Sequence, residues 1–350
     1  MTIQIPHDSI ACGNDRSCMK FDIEADWTLS LICNYACKYC FFHSQAEERS
    51  IRRISPEECL EFFNSTGKTW LLHLTGGEPF LYPDFVRMCQ KLTSQHFISL
   101  NSNLTSQRVL DFAAEIDPSR VKFVHCGVHV EERDRRKGWH DLEAHVASLV
   151  ERGFPVFASQ VMTPPAFADF ARVADLFAKL GVALIPKAIR GSYEGRWYPQ
   201  AYNKSQRILF SRFSEQAELI AKTSTWQPDR QLSTINPLLD CHYLDGFPDF
   251  TDIQCFAGKS FVSIYYDGTI YRCGHRTPLG NIFSKGLDLF SEDRPCDDEY
   301  CPYWCLRFSR FDKETTANYP RQGGSNKLKE KLVAMRAVLR ELWNGQVAHP

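Results

Sequence analysis

Between positions 27 and 189, six short apolar runs of strand character alternate with stretches of helical spacing, and this alternation limits the fold more than any other feature. The strand-like runs are 27–32, 70–75, 96–101, 121–130, 154–162 and 182–189. A helix opens at Ser55-Pro56-Glu57-Glu58, which combines an N-cap serine, a first-turn proline and a capping-box glutamate. Further helices are expected at 83–92, 106–115, 141–151 and 167–180, the last with Phe170, Val173, Phe177 and Leu180 at helical spacing. Strands that alternate with helices form a parallel sheet joined by right-handed crossovers. Six strands fall short of the eight that close a full barrel, so an α/β fold with a partial barrel is expected.

In such a sheet, function gathers where strands end and the following loops begin. After the first strand come Cys33, Cys37 and Cys40, spaced Cys-x3-Cys-x2-Cys, with Tyr39 before the third. Three thiols are one fewer than a structural zinc or a four-iron cluster can use, so one iron is left open to a small molecule. A zinc knuckle or unrelated buried thiols are the plainer alternatives. After the second strand stands Thr75-Gly76-Gly77-Glu78-Pro79, where glycines let backbone approach a ligand and a carboxylate can accept from an ammonium. The third strand places Ser99, Asn101 and Asn103 on one face; on the fourth, His125, His129 and Glu131 are expected to point inward. Gln160 on the fifth strand is a further pocket candidate. Beyond the sixth, Lys187, Arg190 and Arg196 can hold a phosphate or carboxylate, with Tyr193, Trp197 or Tyr198 against a ring; an exposed loop of packing aromatics is the alternative.

The three cysteines followed by Gly-Gly-Glu-Pro one strand-helix unit later resemble the signature of the radical S-adenosylmethionine (SAM) enzymes. The resemblance implies a partial (β/α)6 TIM-like barrel and a 4Fe-4S cluster on Cys33, Cys37 and Cys40. SAM would bind the open iron and be cleaved reductively to a 5'-deoxyadenosyl radical, with an external electron donor of flavodoxin or ferredoxin type. It also implies SAM contacts at Tyr39, Gly76, Gly77, Glu78 and Pro79, with Glu78 on the SAM amino group. Ser102, Asn103, His129, Glu131 and Gln160 would add contacts at the next strand ends. At His129 and Glu131 the chain departs from the Ser-x-Asp pattern expected there.

A second thiol group begins at Cys255. Cys255 and Cys273 bracket an expected hairpin, 261–266 and 269–272, turned at Asp267-Gly268; Cys296, Cys301 and Cys305 follow. Such a group can hold zinc or a second cluster. It resembles the C-terminal region of SPASM and twitch radical SAM proteins, which implies one auxiliary 4Fe-4S cluster with Cys296 or Cys301 spare; Cys241 beside His242 stays a candidate. The expected organisation is an N-terminal arm at 1–25 with Cys12 and Cys18, a barrel core at 26–190, a substrate-proximal insert at 191–254, a cysteine-rich hairpin domain with the auxiliary cluster at 255–310 and a helical tail at 311–350.

The formal net charge of -1 offers no overall attraction to nucleic acid, and no apolar run approaches membrane-spanning length. Fourteen cysteines without a signal-like opening point to reduced thiols and a cytoplasmic setting. About twenty-five residues precede the first strand, too few for a recognition domain, so a small-molecule substrate is expected: a sugar, nucleoside or amino-sugar. A peptide maturase is the alternative, and a zinc-stabilised binding protein without catalysis the remote one.

Overall fold

A computed structural model describes residues 19–40, 53–226, 240, 244, 250–252, 254–274, 277–284 and 286–296. Cys12, Cys18, Cys241, His242, Cys301, Cys305 and the expected helical tail lie outside them.

Six parallel strands follow one another in the sheet in chain order: β1 (Ile23–Thr28), β2 (Trp70–Thr75), β3 (Phe97–Ser102), β4 (Val121–Gly127), β5 (Val156–Val161) and β6 (Ala183–Lys187). Their connections carry α1 (Pro56–Ser65), α2 (Phe85–Thr93), α3 (Arg108–Glu115), α4 (Val130–Arg136), α5 (Trp139–Glu151) and α6 (Ala166–Lys179). The result is an α/β partial TIM-like barrel. Helix α1 starts on the expected capping box, with Ser55 Oγ accepting from Glu58 N and the Glu58 side chain accepting from Ser55 N.

Three departures from the sequence expectation bear on the site. Strand β1 begins and ends four residues earlier than 27–32, because after Thr28 the chain leaves the ladder and Leu29 to Ile32 run alongside the turn that follows β2. Strand β4 stops at Gly127, where His129 adopts a left-handed backbone and opens α4. The stretch after β6 forms a hairpin, β7 (Gly191–Tyr193) with β8 (Arg196–Tyr198), before the helix α7 (Lys204–Ala221).

Strand parity sorts the core. Ala25, Trp27, Leu72, Leu74, Ile98, Leu100, Val124, Cys126 and Ala158 join the buried cluster that includes the helices' apolar faces. Leu71, Phe123, Phe157, Ala183 and Ile185 form a second cluster with Ala217, Ala221 and Trp226, whose ring lies 4.3 Å from that of Phe157. The amino-terminal half of the barrel interior is therefore packed apolar, and polar side chains begin above it.

The C-terminal segment contributes β9 (Gln254–Cys255), β10 (Phe261–Ile264), β11 (Thr269–Tyr271), β12 (Pro278–Asn281), β13 (Gly286–Leu287) and β14 (Arg294–Pro295). Strand β10 pairs in parallel with β1, aligning Glu24 with Phe261 and Asp26 with Ser263, and so extends the barrel sheet to ten strands. The hairpin expected in the 255–310 segment is thus part of the same sheet as the barrel.

Candidate active site at the carboxyl ends of the barrel strands

The turn after β2 is built against the cysteine loop. Gly77 N donates to Ser30 O at 2.7 Å and Glu78 N to Ile32 O at 2.8 Å. A Cβ on Gly76 would run into the Ser30 carbonyl, and one on Gly77 into that of Ile32. These glycines, read from sequence as room for a ligand, make room for the protein's own cysteine loop. Glu78 is 1% exposed and accepts from Ser102 Oγ at 2.7 Å, Asn103 N at 2.8 Å and Phe80 N at 3.1 Å. Desolvation raises its pKa above the usual carboxylate value and these donors oppose the rise. Its oxygens tie the end of β2 to the end of β3, where an interaction with the SAM ammonium had been expected. Pro79 opens the single turn that follows. Asn103 Nδ2 donates to Asn34 Oδ1 at 2.9 Å, and Asn34 Nδ2 donates to Thr105 Oγ1 at 2.8 Å, fastening the cysteine loop to β3.

Within the loop, Tyr35 N donates to Cys33 Sγ at 3.3 Å, and Cys40 N donates to Cys37 O at 3.0 Å to close a turn. Burial pushes the Cys33 thiol up to about 11 and Cys37 up to about 12, so the free thiols are protonated and iron must displace their protons. Among the described residues no three His, Cys, Asp or Glu side chains converge as they stand on one metal position. The donor set still fits a cluster: three thiols on one short loop, with Cys33 and Cys40 half-buried, at the end of a barrel strand.

His129 approaches this loop from the bend after β4. Its Nδ1 lies 3.3 Å from Cys37 Sγ and 3.0 Å from Tyr39 Oη, and the Tyr39 ring stacks on the imidazole. Desolvation lowers it to about 4, so the ring is neutral. A Cβ on Gly127 would collide with that ring. Glu131, expected on a strand facing inward, is exposed in the first turn of α4. Gln160 shares the outward face with Ala158 and donates to Ala166 O at 3.4 Å beneath the start of α6, so it does not line the interior.

Sequence reasoning missed Arg133. Fully buried, it donates from Nε to Val128 O at 2.9 Å and from Nη2 to Asn103 O, and stands 5.7 Å over the Tyr35 ring. It joins the ends of β3 and β4 to the cysteine loop. In sequence it is one of several charges in an exposed-looking run, which gives no sign of burial.

The barrel interior carries a polar layer. Glu24 lies 2.6 Å from His73 Nε2, and His73 Nδ1 meets Ser99 Oγ. His125 Nε2 meets Ser159 Oγ at 2.7 Å, and its ring stacks on Phe157. At the rim, Arg190 pairs with the buried Asp240 at 2.7 Å, and Asp240 also accepts from Ala188 N, so this arginine is engaged inside the protein. Tyr193 is buried, Trp197 half-buried and Arg196 exposed. The tip of the β7–β8 hairpin reaches the cysteine loop through an exposed Glu194–Lys38 pair at 3.9 Å.

In the C-terminal segment, Cys255 and Cys273 pack against Ala257 and Phe261. Arg272 donates to the carbonyls of Ala257, Arg294 and Pro295 at 2.8–3.2 Å, which gathers the backbone neighbours of Cys255, Cys273 and Cys296.

Residues 27–182, which include the cysteine loop and the Gly-Gly-Glu-Pro turn, match the model of the Radical SAM superfamily. This chain carries a radical SAM domain. SAM and a 4Fe-4S cluster are the cofactors of that superfamily. The radical SAM chain is 25% identical over 275 residues to mycofactocin maturase MftC of Mycobacterium tuberculosis, an alignment covering 74% of this chain and 67% of the maturase. It also resembles Streptococcus suis SuiB bound to S-adenosylmethionine, with a TM-score of 0.52, 14% identity and coverage of 75% of this chain and 64% of SuiB. A structure of anSMEcpe with bound AdoMet and Cp18Cys peptide matches with a TM-score of 0.51, 15% identity and coverage of 74% and 77%. The chain thus spans less than two thirds of SuiB. Among the described residues no helix is long and apolar enough to cross a membrane.

Proposed function

We propose that this radical SAM enzyme is a peptide maturase. The observation that carries the reading is the maturase alignment: its 275 residues exceed the family match at 27–182, so the likeness extends beyond the barrel. The peptide-bound anSMEcpe structure and the structure of SuiB bound to precursor peptide SuiA support the same substrate class. The small-molecule expectation rested partly on Arg190 as an anion anchor, and that side chain is paired with Asp240.

In this reading Cys33, Cys37 and Cys40 hold the SAM cluster. When bound, the cluster supplies the electron that cleaves SAM to a 5'-deoxyadenosyl radical able to take a hydrogen from the peptide. The chain's own residues hold the loop in place. Glu78, Ser102, Asn103 and Arg133 fix the strand ends around it, and Gly76 and Gly77 let the turn and the loop touch. Tyr39, Pro79 and His129 border the SAM position, and enclosure within the barrel keeps the radical from bulk solvent. Cys255, Cys273 and Cys305, with either Cys296 or Cys301 and the other spare, would hold one auxiliary cluster.

The test is anaerobic reconstitution to about eight irons, followed by SAM, reductant and a small peptide encoded beside the gene. A change in peptide mass together with 5'-deoxyadenosine is the expected result. SAM cleavage with no change in any neighbouring peptide, and turnover of a sugar or nucleoside instead, would overturn the reading.

A further inference from the structure

Two charged side chains stand on the inward face of the barrel without a hydrogen-bond or ion-pair partner among the described residues. Asp26 lies on β1, in register with His73 on β2 and Ser263 on β10. Lys187 ends β6, in register with Val161 on β5. Their polar neighbours are engaged: Glu24 with His73, His125 with Ser159, Arg190 with Asp240. Asp26 and Lys187 have no hydrogen bond or ion pair among the described residues, although each is close enough to shift the other's ionisation. Both are half-buried, so each presents polar atoms to the space within the barrel.

An ammonium in a desolvated space is unfavourable until an anion joins it. Burial draws Lys187 down to about 8, and Arg190 acts in the same direction against Asp240 and Asp26. A ligand carboxylate would reverse that loss. Asp26 adds the complementary element, an acceptor facing the same space.

We propose that Lys187 and Asp26 form a carboxylate-reading substrate site inside the barrel, the Lys187 ammonium binding a substrate carboxylate and Asp26 accepting an N–H carried beside it. A carboxylate with a neighbouring N–H is the chemistry of an amino-acid residue, supplied by a peptide's free C-terminus or by an aspartate or glutamate within it. The proposal rests on the peptide reading only for that source.

The test uses the reconstituted, SAM-loaded protein and three pools of short synthetic peptides: free C-termini without Asp or Glu, amidated C-termini with them, and amidated C-termini without them. Retention is counted by mass spectrometry. The carboxylate-free pool should be retained at least about tenfold less than one of the others, and which one identifies the source. Lys187→Met should remove the preference and Lys187→Arg keep it. Equal retention of all three pools overturns the proposal. So does a Lys187→Met protein that loses SAM as much as peptide, since the ammonium then serves the SAM carboxylate.

A second measurement needs neither peptide nor variant. Reductive methylation of Lys187 in the wild-type protein should slow with acetate or 3-phenylpropionate and not with the matching amides; equal rates contradict the site. Protection by carboxylates with no peptide retained would end the peptide reading and leave the site standing. Peptide retention without protection or preference would do the reverse.

Discussion

Asp26 carries a carboxyl into the barrel where burial pushes it up to about 6, against the pull of His73 and Lys187. A carboxyl raised in the folded state binds its proton more tightly there than in the unfolded chain, so its favourable contribution exists at low pH and is lost as pH rises through about 6. At neutral pH the charged group costs the fold about 1–3 kcal/mol. Asp26→Asn should therefore raise the Tm above pH 6, and the gain over wild type should fade between about 6 and 4 in a pH series of thermal melts. A constant gain across that range would show that the carboxyl is not perturbed. Glu78 behaves differently because its oxygens already accept from Ser102, Asn103 and Phe80. Glu78→Gln turns one acceptor into a donor among those donors, and a loss of about 2–4 kcal/mol in denaturant unfolding is expected. The presence of Glu78 was legible in the sequence, but its partners were not, since they come from the next strand. Asp26 was overlooked because the first strand was counted from Trp27, which left it outside the inward-facing set.

Elements whose signals are local were read well. Strand β2 lies where expected, at Trp70–Thr75, and α1 begins on Ser55 with both halves of its capping box formed. Ser55→Ala should cost about 1 kcal/mol in chemical denaturation. Helix α4 and the β7–β8 hairpin were not legible. Val130 to Arg136 is almost wholly charged, so no apolar periodicity marks it, and the residues it buries are Glu132 and Arg133. The turn after β2 links element to chemistry, because its glycines touch the cysteine loop. Gly77→Ala should push that loop outward, and the reconstituted protein should bind less iron than wild type at equal protein concentration. Full iron loading would mean that the close approach is dispensable.

At the scale of the molecule, the six-strand barrel followed from alternation alone, while the extension of its sheet did not. Pairing of β10 with β1 joins residues far apart in the chain, and no local pattern encodes such a partner. The same holds for Trp226, which reaches Phe157 from beyond α7 and closes the apolar half of the interior. Trp226→Ala should destabilise the fold by about 3–5 kcal/mol in denaturant unfolding, and a loss under about 1 kcal/mol would contradict its place in the core. Both features brace the barrel from the C-terminal side; β11, which leads into Cys273, lies on the barrel sheet, while Cys255 and Cys296 lie at the separate β9–β14 pair.

The central claim is that three thiols on one loop make this chain cleave SAM. The direct measurement is 5'-deoxyadenosine formed anaerobically from SAM and a strong reductant by reconstituted wild-type and Cys33→Ala proteins. Formation by wild type and none above background by Cys33→Ala is the expected result, and equal formation by the two would contradict it.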